Sequence, residues 1–158
     1  MSTWASLVPE ILTQELTIRA PAQIVYELLT DAEYFSEWMA VEAELEPWVD
    51  GLARWRHANG DVCQGRFVEL VPYRRVVFTY GWERTEVGIP PGSTTIEIDL
   101  AEEGGVTTVR LTHRGLSAPA ADAHAVGWRH YLARLAVRAE GRDPGPDPWH
   151  DQRVPSFR

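Results

Sequence analysis

The chain has 158 residues, 44% of them hydrophobic and 24% charged, enough for one globular domain with a substantial core. Its net charge of -8 argues against a nucleic-acid partner, and no segment approaches the roughly 20 apolar residues of a membrane span. Cys63 is the single cysteine, so no intrachain disulfide forms and a cytoplasmic location is the expectation.

Residues 1–9 are expected to be a loose lead-in. With no basic residue before Arg19 and no long apolar run, the N-terminus does not have the pattern of a secretion signal. Residues 11–19 (ILTQELTIR) read as a first strand, since Leu12, Leu16 and Ile18 share a parity. Pro21 suits the first turn of a helix whose buried stripe is Ile24, Val25, Leu28 and Leu29. Asp31 can cap a second, short helix over 32–38.

From Val41 onward the pattern is that of strands, at 41–46, 52–57, 62–70, 75–83, 94–100 and 106–113. Ala53, Trp55 and His57 share one face, and Asn59-Gly60 is a strong hairpin signal. Val76, Phe78, Tyr80 and Trp82 line one face of the 75–83 strand, and a proline- and glycine-rich loop follows at 85–92. Val109, Leu111 and His113 point one way, Thr108, Arg110 and Thr112 the other. Short turns between these strands predict an antiparallel meander.

The 120–140 stretch carries Ala121, Ala125, Trp128, Leu132, Leu135 and Ala139 at helical spacing, with His124 and Tyr131 beside them. Arg129, Arg134 and Arg138 fall on the opposite, solvated face. Gly127, inside this helix, is expected to permit a close approach to the sheet or to a ligand. The fold class is therefore α+β, in the order β-α-α-β6-α, with one long C-terminal helix covering one antiparallel sheet. Residues 1–140 form the domain, and 141–158 form an extended, proline-rich tail. Trp149 and Phe157 in that tail predict that it docks on the domain or on a neighbouring subunit, and a homodimer is expected on the same grounds.

The segments IRAPAQIVYELLTDAEYFSEW, GRFVELVPYRRVVFTYGW, PPGSTTIEIDLAEEGGVTTVRLTHRGL and GWRHYLARLA, in that order, resemble the START-like (SRPBCC) superfamily. Within it they are similar to the family of activator of heat-shock protein 90 ATPase homologues, over about residues 15–140. The resemblance implies the helix-grip fold, in which the sheet wraps around the C-terminal helix. It also implies a space beneath that helix which other members use for apolar ligands. Lipid and hormone carriers, polyketide cyclases and a chaperone-activating domain share the superfamily, so the resemblance alone does not choose between binding, catalysis and chaperone assistance.

His113 is the leading candidate for chemistry, because its parity turns it inward near a strand end. It could orient a ligand or transfer a proton, or be a core histidine bonded to a neighbouring carbonyl or hydroxyl, the commoner arrangement. His124 lies one turn before Trp128 and can face the sheet, although a place at the solvent edge is the commoner arrangement, and His130 is expected on the outer face. Trp55, Phe67, Phe78, Tyr80, Trp82, Trp128 and Tyr131 are the expected lining of a pocket of roughly 300–1,000 Å³. No metal-ligand spacing, phosphate loop or nucleophile elbow is present, so neither metal nor cofactor is expected. A small apolar or aromatic molecule is the expected partner. The alternatives are a cyclase- or hydrolase-type enzyme on the same cavity and a chaperone-associated interaction module.

Overall fold

The computed structural model describes residues 10–158, and the lead-in expected over 1–9 lies outside them. Strand β1 (Glu10–Ile18) is followed by helices α1 (Ala22–Thr30) and α2 (Ala32–Phe35). Strands β2 (Glu42–Leu45), β3 (Leu52–Arg56), β4 (Val62–Val71), β5 (Arg75–Tyr80), β6 (Thr94–Glu103) and β7 (Val106–Leu116) come next, and helix α3 (Ala118–Ala139) after them. The seven strands make one curved antiparallel sheet in the order β1-β7-β6-β5-β4-β3-β2. The α1–α2 connection carries the chain from one edge of this sheet to the other. The strands from β2 then walk back by turns, with one longer loop between β5 and β6, until β7 meets β1.

Local chemistry sets the boundaries. Asp31 accepts the amides of Glu33 and Tyr34 at the start of α2. Ser117 caps α3 through the Ala120 amide, with Pro119 in the first turn, so the helix starts slightly earlier than its periodicity predicts. The β3–β4 turn forms at Asn59-Gly60. Gly60 there takes φ +92°, His57 donates its amide to the Asp61 carbonyl at 2.8 Å, and the Asn59 side chain accepts the Asp61 amide at 2.8 Å. β5 ends at Tyr80, earlier than expected. Trp82 instead makes an isolated bridge to Cys63 and donates its amide to Ile89 at 2.7 Å, because the proline-rich loop folds back on it.

The core lies between the concave face of the sheet and the helices. Leu132 and Leu135 of α3 are buried against it, each worth about 1.5–3 kcal/mol relative to exposure. Arg134 and Arg138, expected on a solvated face, instead reach α2 and its flank. Arg134 donates to the Trp38 carbonyl at 2.9 Å, and Arg138 pairs with Glu37 at 2.7 Å. Trp38 in turn donates its indole N–H to the Leu28 carbonyl at 2.8 Å. Two small helices and the long one are thus held as one layer. Among the described residues, no helix is long and apolar enough to cross a membrane.

Candidate functional site

A cavity of about 390 Å³ opens between the ends of β3 and β5, one face of α3, and the C-terminal tail. Trp55, Tyr80, Trp82, His124, Trp128 and Tyr131 stand in its wall. Phe67, Phe78 and His113 are outside it. Phe67 and Phe78 pair across β4 and β5 with centroids 6.1 Å apart, filling the core. His113 faces inward as its parity requires, but is fully buried behind Tyr80, whose ring meets it edge-on at 4.8 Å.

Three tryptophans each donate an indole N–H to a buried histidine. Trp55 donates to Nε2 of His57 at 3.2 Å, Trp82 to Nε2 of His124 at 3.2 Å, and Trp128 to Nδ1 of His113 at 3.1 Å. An indole N–H can only donate, so each of these imidazole nitrogens is an acceptor and each ring is neutral, with its proton on the other nitrogen. In His124 that proton, on Nδ1, goes to the Ala120 carbonyl at 2.8 Å. In His113 the Nε2 proton goes to the Thr94 hydroxyl at 2.9 Å, and Thr94 passes a hydrogen bond to the Tyr80 carbonyl at 2.9 Å. Both rings are therefore satisfied by protein groups. His57 differs: its Nδ1 is buried and has no partner among the described residues.

The electrostatics agree with neutral rings. Burial pushes His57 down to about 4, against the pull of Asp147 and Asp61. Burial, then the nearby His124, pushes His113 down to about 2. Burial lowers His124 as well. Cys63, 3.7 Å from Nε2 of His57, is driven well above the ordinary thiol range by burial. It remains a thiol, which is a poor nucleophile. Tyr80 is raised by burial and then by Cys63 beside it.

The remaining wall comes from the tail. Trp149, Gln152, Arg153, Val154 and Pro155 line the cavity, and two carboxylates hold them there. Asp61 is paired with Arg84 at 2.7 Å and accepts the Val154 amide at 3.2 Å, while Arg84 donates to the Val154 carbonyl. Asp147 accepts from the Tyr131 hydroxyl, from His130 at 3.0 Å and from the Trp149 amide at 3.0 Å. Burial favours the protonated form of both acids, but these hydrogen bonds prevail and hold each below its usual range. His130, expected on the outer face, is drawn in by Asp147 and stacks on Trp149 with centroids 3.8 Å apart. Farther on, Phe157 donates its amide to the Val87 carbonyl at 2.8 Å.

Sequence reasoning placed His57 on the correct face but did not single it out, and it missed Asp61, Arg84 and Asp147 altogether. Parity was a usable signal for His57. For the carboxylates the only local hint was the DPW run at 147–149, where an aspartate precedes a proline-stiffened tryptophan. Gly127 lines the cavity, but an added Cβ would meet nothing within 4 Å. Close approach to the sheet is therefore not its role. Among the described residues, no three His, Cys, Asp or Glu side chains cluster as a metal site would require.

The AHSA1-like protein of Rhizobium etli, solved by NMR, is 42% identical, with 95% of this chain and 94% of that one covered at a TM-score of 0.69. The Aha1 dimer from Colwellia psychrerythraea is 21% identical, covering 84% of this chain and 97% of that one, with a TM-score of 0.70. DynU16, from the dynemicin biosynthetic locus, is 19% identical with a TM-score of 0.75 over 87% of this chain; the match spans only 49% of DynU16. No curated protein matches. The sequence model of the family described as activator of Hsp90 ATPase homolog 1-like protein matches residues 19–140. Together with the Rhizobium protein, that match shows that the chain belongs to the family of activator of Hsp90 ATPase homolog 1-like proteins within the START-like superfamily.

Proposed function

We propose that the protein binds a small, largely apolar molecule, aromatic in preference, in the cavity between the sheet, α3 and the tail. The observation that carries this reading is the cavity itself. Its volume of about 390 Å³ falls in the roughly 300–1,000 Å³ range of small-molecule sites, and its wall is built mainly from indole, phenol and imidazole rings. Most polar atoms of those rings are already hydrogen-bonded within the protein, so apart from Nδ1 of His57 they present their faces and edges rather than unmet polar groups. A flat aromatic guest can stack on such faces. Burying 200 Å² of it would contribute about 5 kcal/mol at ~25 cal/mol per Å², before the cost of lost translational freedom.

The enzymatic alternative is weaker. The candidate acid–base group, His113, lies outside the cavity wall and uses both ring nitrogens within the protein. To move a proton it would first have to break one of those bonds. The origin of DynU16 in a biosynthetic locus is compatible with a small-molecule guest but names none for this chain.

Native mass spectrometry of the freshly purified protein tests the reading, paired with titration of a neutral naphthalene probe followed by tryptophan fluorescence. A retained small molecule, or saturable quenching with one site per chain, is the expected result. If no small molecule is retained and naphthalene probes leave the fluorescence unchanged up to their solubility limit, the proposal fails.

A further inference from the structure

His57 stands apart from the other buried histidines. Trp55 occupies its Nε2, which fixes the ring proton on Nδ1. The Met39 backbone favours the protonated ring, but among the described residues no acceptor meets hydrogen-bond geometry at Nδ1. A buried donor left unpaired costs about 1–3 kcal/mol, and such groups in folded proteins call for an explanation. His57 also belongs to the cavity wall, where its ring is packed between Trp82 and Tyr131 with centroids at 5.6 and 5.1 Å. Nδ1 is itself closed to solvent, so a guest reaches it by inserting an edge among these rings.

We infer that His57 is the polar specificity element of the cavity, its Nδ1–H donating to an acceptor on the guest, so that the preferred guest is a neutral aromatic molecule carrying a carbonyl or equivalent oxygen. The inference rests on the reading of the cavity as a binding site and deepens it. Neutrality follows from the surroundings. Asp147 and Asp61 act on the His57 ring as negative charges, but Arg84 pairs with Asp61 and Arg153 stands in the same wall. The charges there offset one another, and a net charge on a guest would be buried without a free partner. A guest with only donor groups would leave Nδ1–H as it is.

The test is a four-way comparison using two probes of similar shape, 2-acetylnaphthalene and 2-ethylnaphthalene, on the full chain and on His57→Phe. Ethyl is the greasier group, so the informative quantity is the ratio of the two Kd values in each protein rather than either value alone. Replacement by phenylalanine is expected to shift that ratio about five- to tenfold against the ketone, the scale of one neutral hydrogen bond, with the ethyl probe absorbing any change in cavity shape. An unchanged ratio with both probes still bound would overturn the role of His57 and leave the cavity reading intact. Failure of both probes to bind the unaltered chain would remove the cavity reading, and this inference with it. Should His57→Phe not fold, long-range ¹H–¹⁵N correlation spectra of the histidine rings in the unaltered chain decide the matter. The His57 Nδ1 proton should move downfield with the ketone and stay in place with the hydrocarbon. A proton indifferent to the ketone overturns the proposal.

Discussion

Asp61 and Val154 are 93 positions apart in the chain, yet the Asp61 carboxylate holds the Val154 amide at 3.2 Å. Arg84, bound to the same carboxylate, takes the Val154 carbonyl. One residue of the tail is thus gripped at both of its backbone polar groups by an ion pair whose acid is 2% exposed. Both groups would otherwise need water, which the packed tail excludes.

Asp61→Ala should therefore release the tail and leave Arg84 without its partner. Arg84 keeps 22% of its side-chain exposure, so water recovers part of the loss, and about 2–4 kcal/mol is the expected destabilisation. Truncation after Glu140 should act in the same direction by removing Trp149, Val154 and Phe157 from the apolar surface they cover. Thermal melts check the stability, and limited proteolysis checks release: Asp61→Ala should be cut within 141–158 faster than the unaltered chain. Equal Tm and equal cutting would mean that the grip contributes nothing in solution.

This grip also marks the limit of what the sequence could disclose. Strand parity is a local, period-two signal. It turns Trp55, Tyr80 and Trp82 inward, where they are buried, and helical spacing does the same for Trp128 and Tyr131; for His124 it leaves the solvent edge as the favoured place, and the ring is buried instead. Parity says which way a side chain points but not how far along the core the cavity extends. For that reason Phe67, Phe78 and His113 share the parity of the wall although they pack beyond it. The tail's path depends on Asp61, Arg84, Tyr131 and His130, all distant in sequence from the residues they hold. Nothing within 141–158 specifies where such partners lie. Two of the three indole–imidazole bonds have the same character, Trp82–His124 joining residues 42 apart and Trp128–His113 residues 15 apart, whereas Trp55 and His57 are only two apart.

Acid should weaken the fold well before the carboxylates titrate. A histidine whose pKa is lower in the folded than in the unfolded chain takes up its proton on unfolding. Stability is then lost as pH falls from the unfolded value, near 6.5, toward the folded one. For His57 that window runs from 6.5 to about 4, and for His113 from 6.5 to about 2. His124 is shifted in the same direction. Each of the first two contributes about 2 kcal/mol of lost stability between pH 7 and pH 5. Asp61 and Asp147 are shifted below the ordinary 3.8. Their contribution is fully present above that value and is lost only as pH falls through their folded pKa values. Urea melts at pH 7 and pH 5 should show the loss, and His57→Phe should reduce it by roughly one share. A flat profile over this range would mean that the rings take up protons while folded.

Gly127→Ala is expected to stabilise the protein. The position is inside α3, its φ is not positive, and an added Cβ has open space around it. Alanine should then recover up to about 1 kcal/mol of helix propensity. The methyl would sit at the cavity wall, so probe affinity should be read alongside Tm. Higher stability with weaker probe binding would show that the glycine keeps room for a guest. Lower stability would contradict the open space around the position.

His113→Gln separates a scaffold histidine from a working one. In the folded chain His113 accepts from Trp128 at 3.1 Å and donates to Thr94 at 2.9 Å, and Thr94 holds the Tyr80 carbonyl. The ring thus ties α3 to β5 and β6 through a single fully buried side chain. Glutamine has one acceptor and one donor group but not the rigid separation of the two ring nitrogens, so it can keep one of the bonds and strain or lose the other. The expected cost is about 1–3 kcal/mol of stability, the range for one buried polar group left unpaired. Probe binding to the folded fraction should stay within about twofold, because the residue is outside the cavity wall. The stability loss should also be smaller at pH 5 than at pH 7, since glutamine does not take up a proton on unfolding. A variant with unchanged stability and sharply weakened probe binding would reverse the assignment and return His113 to the site.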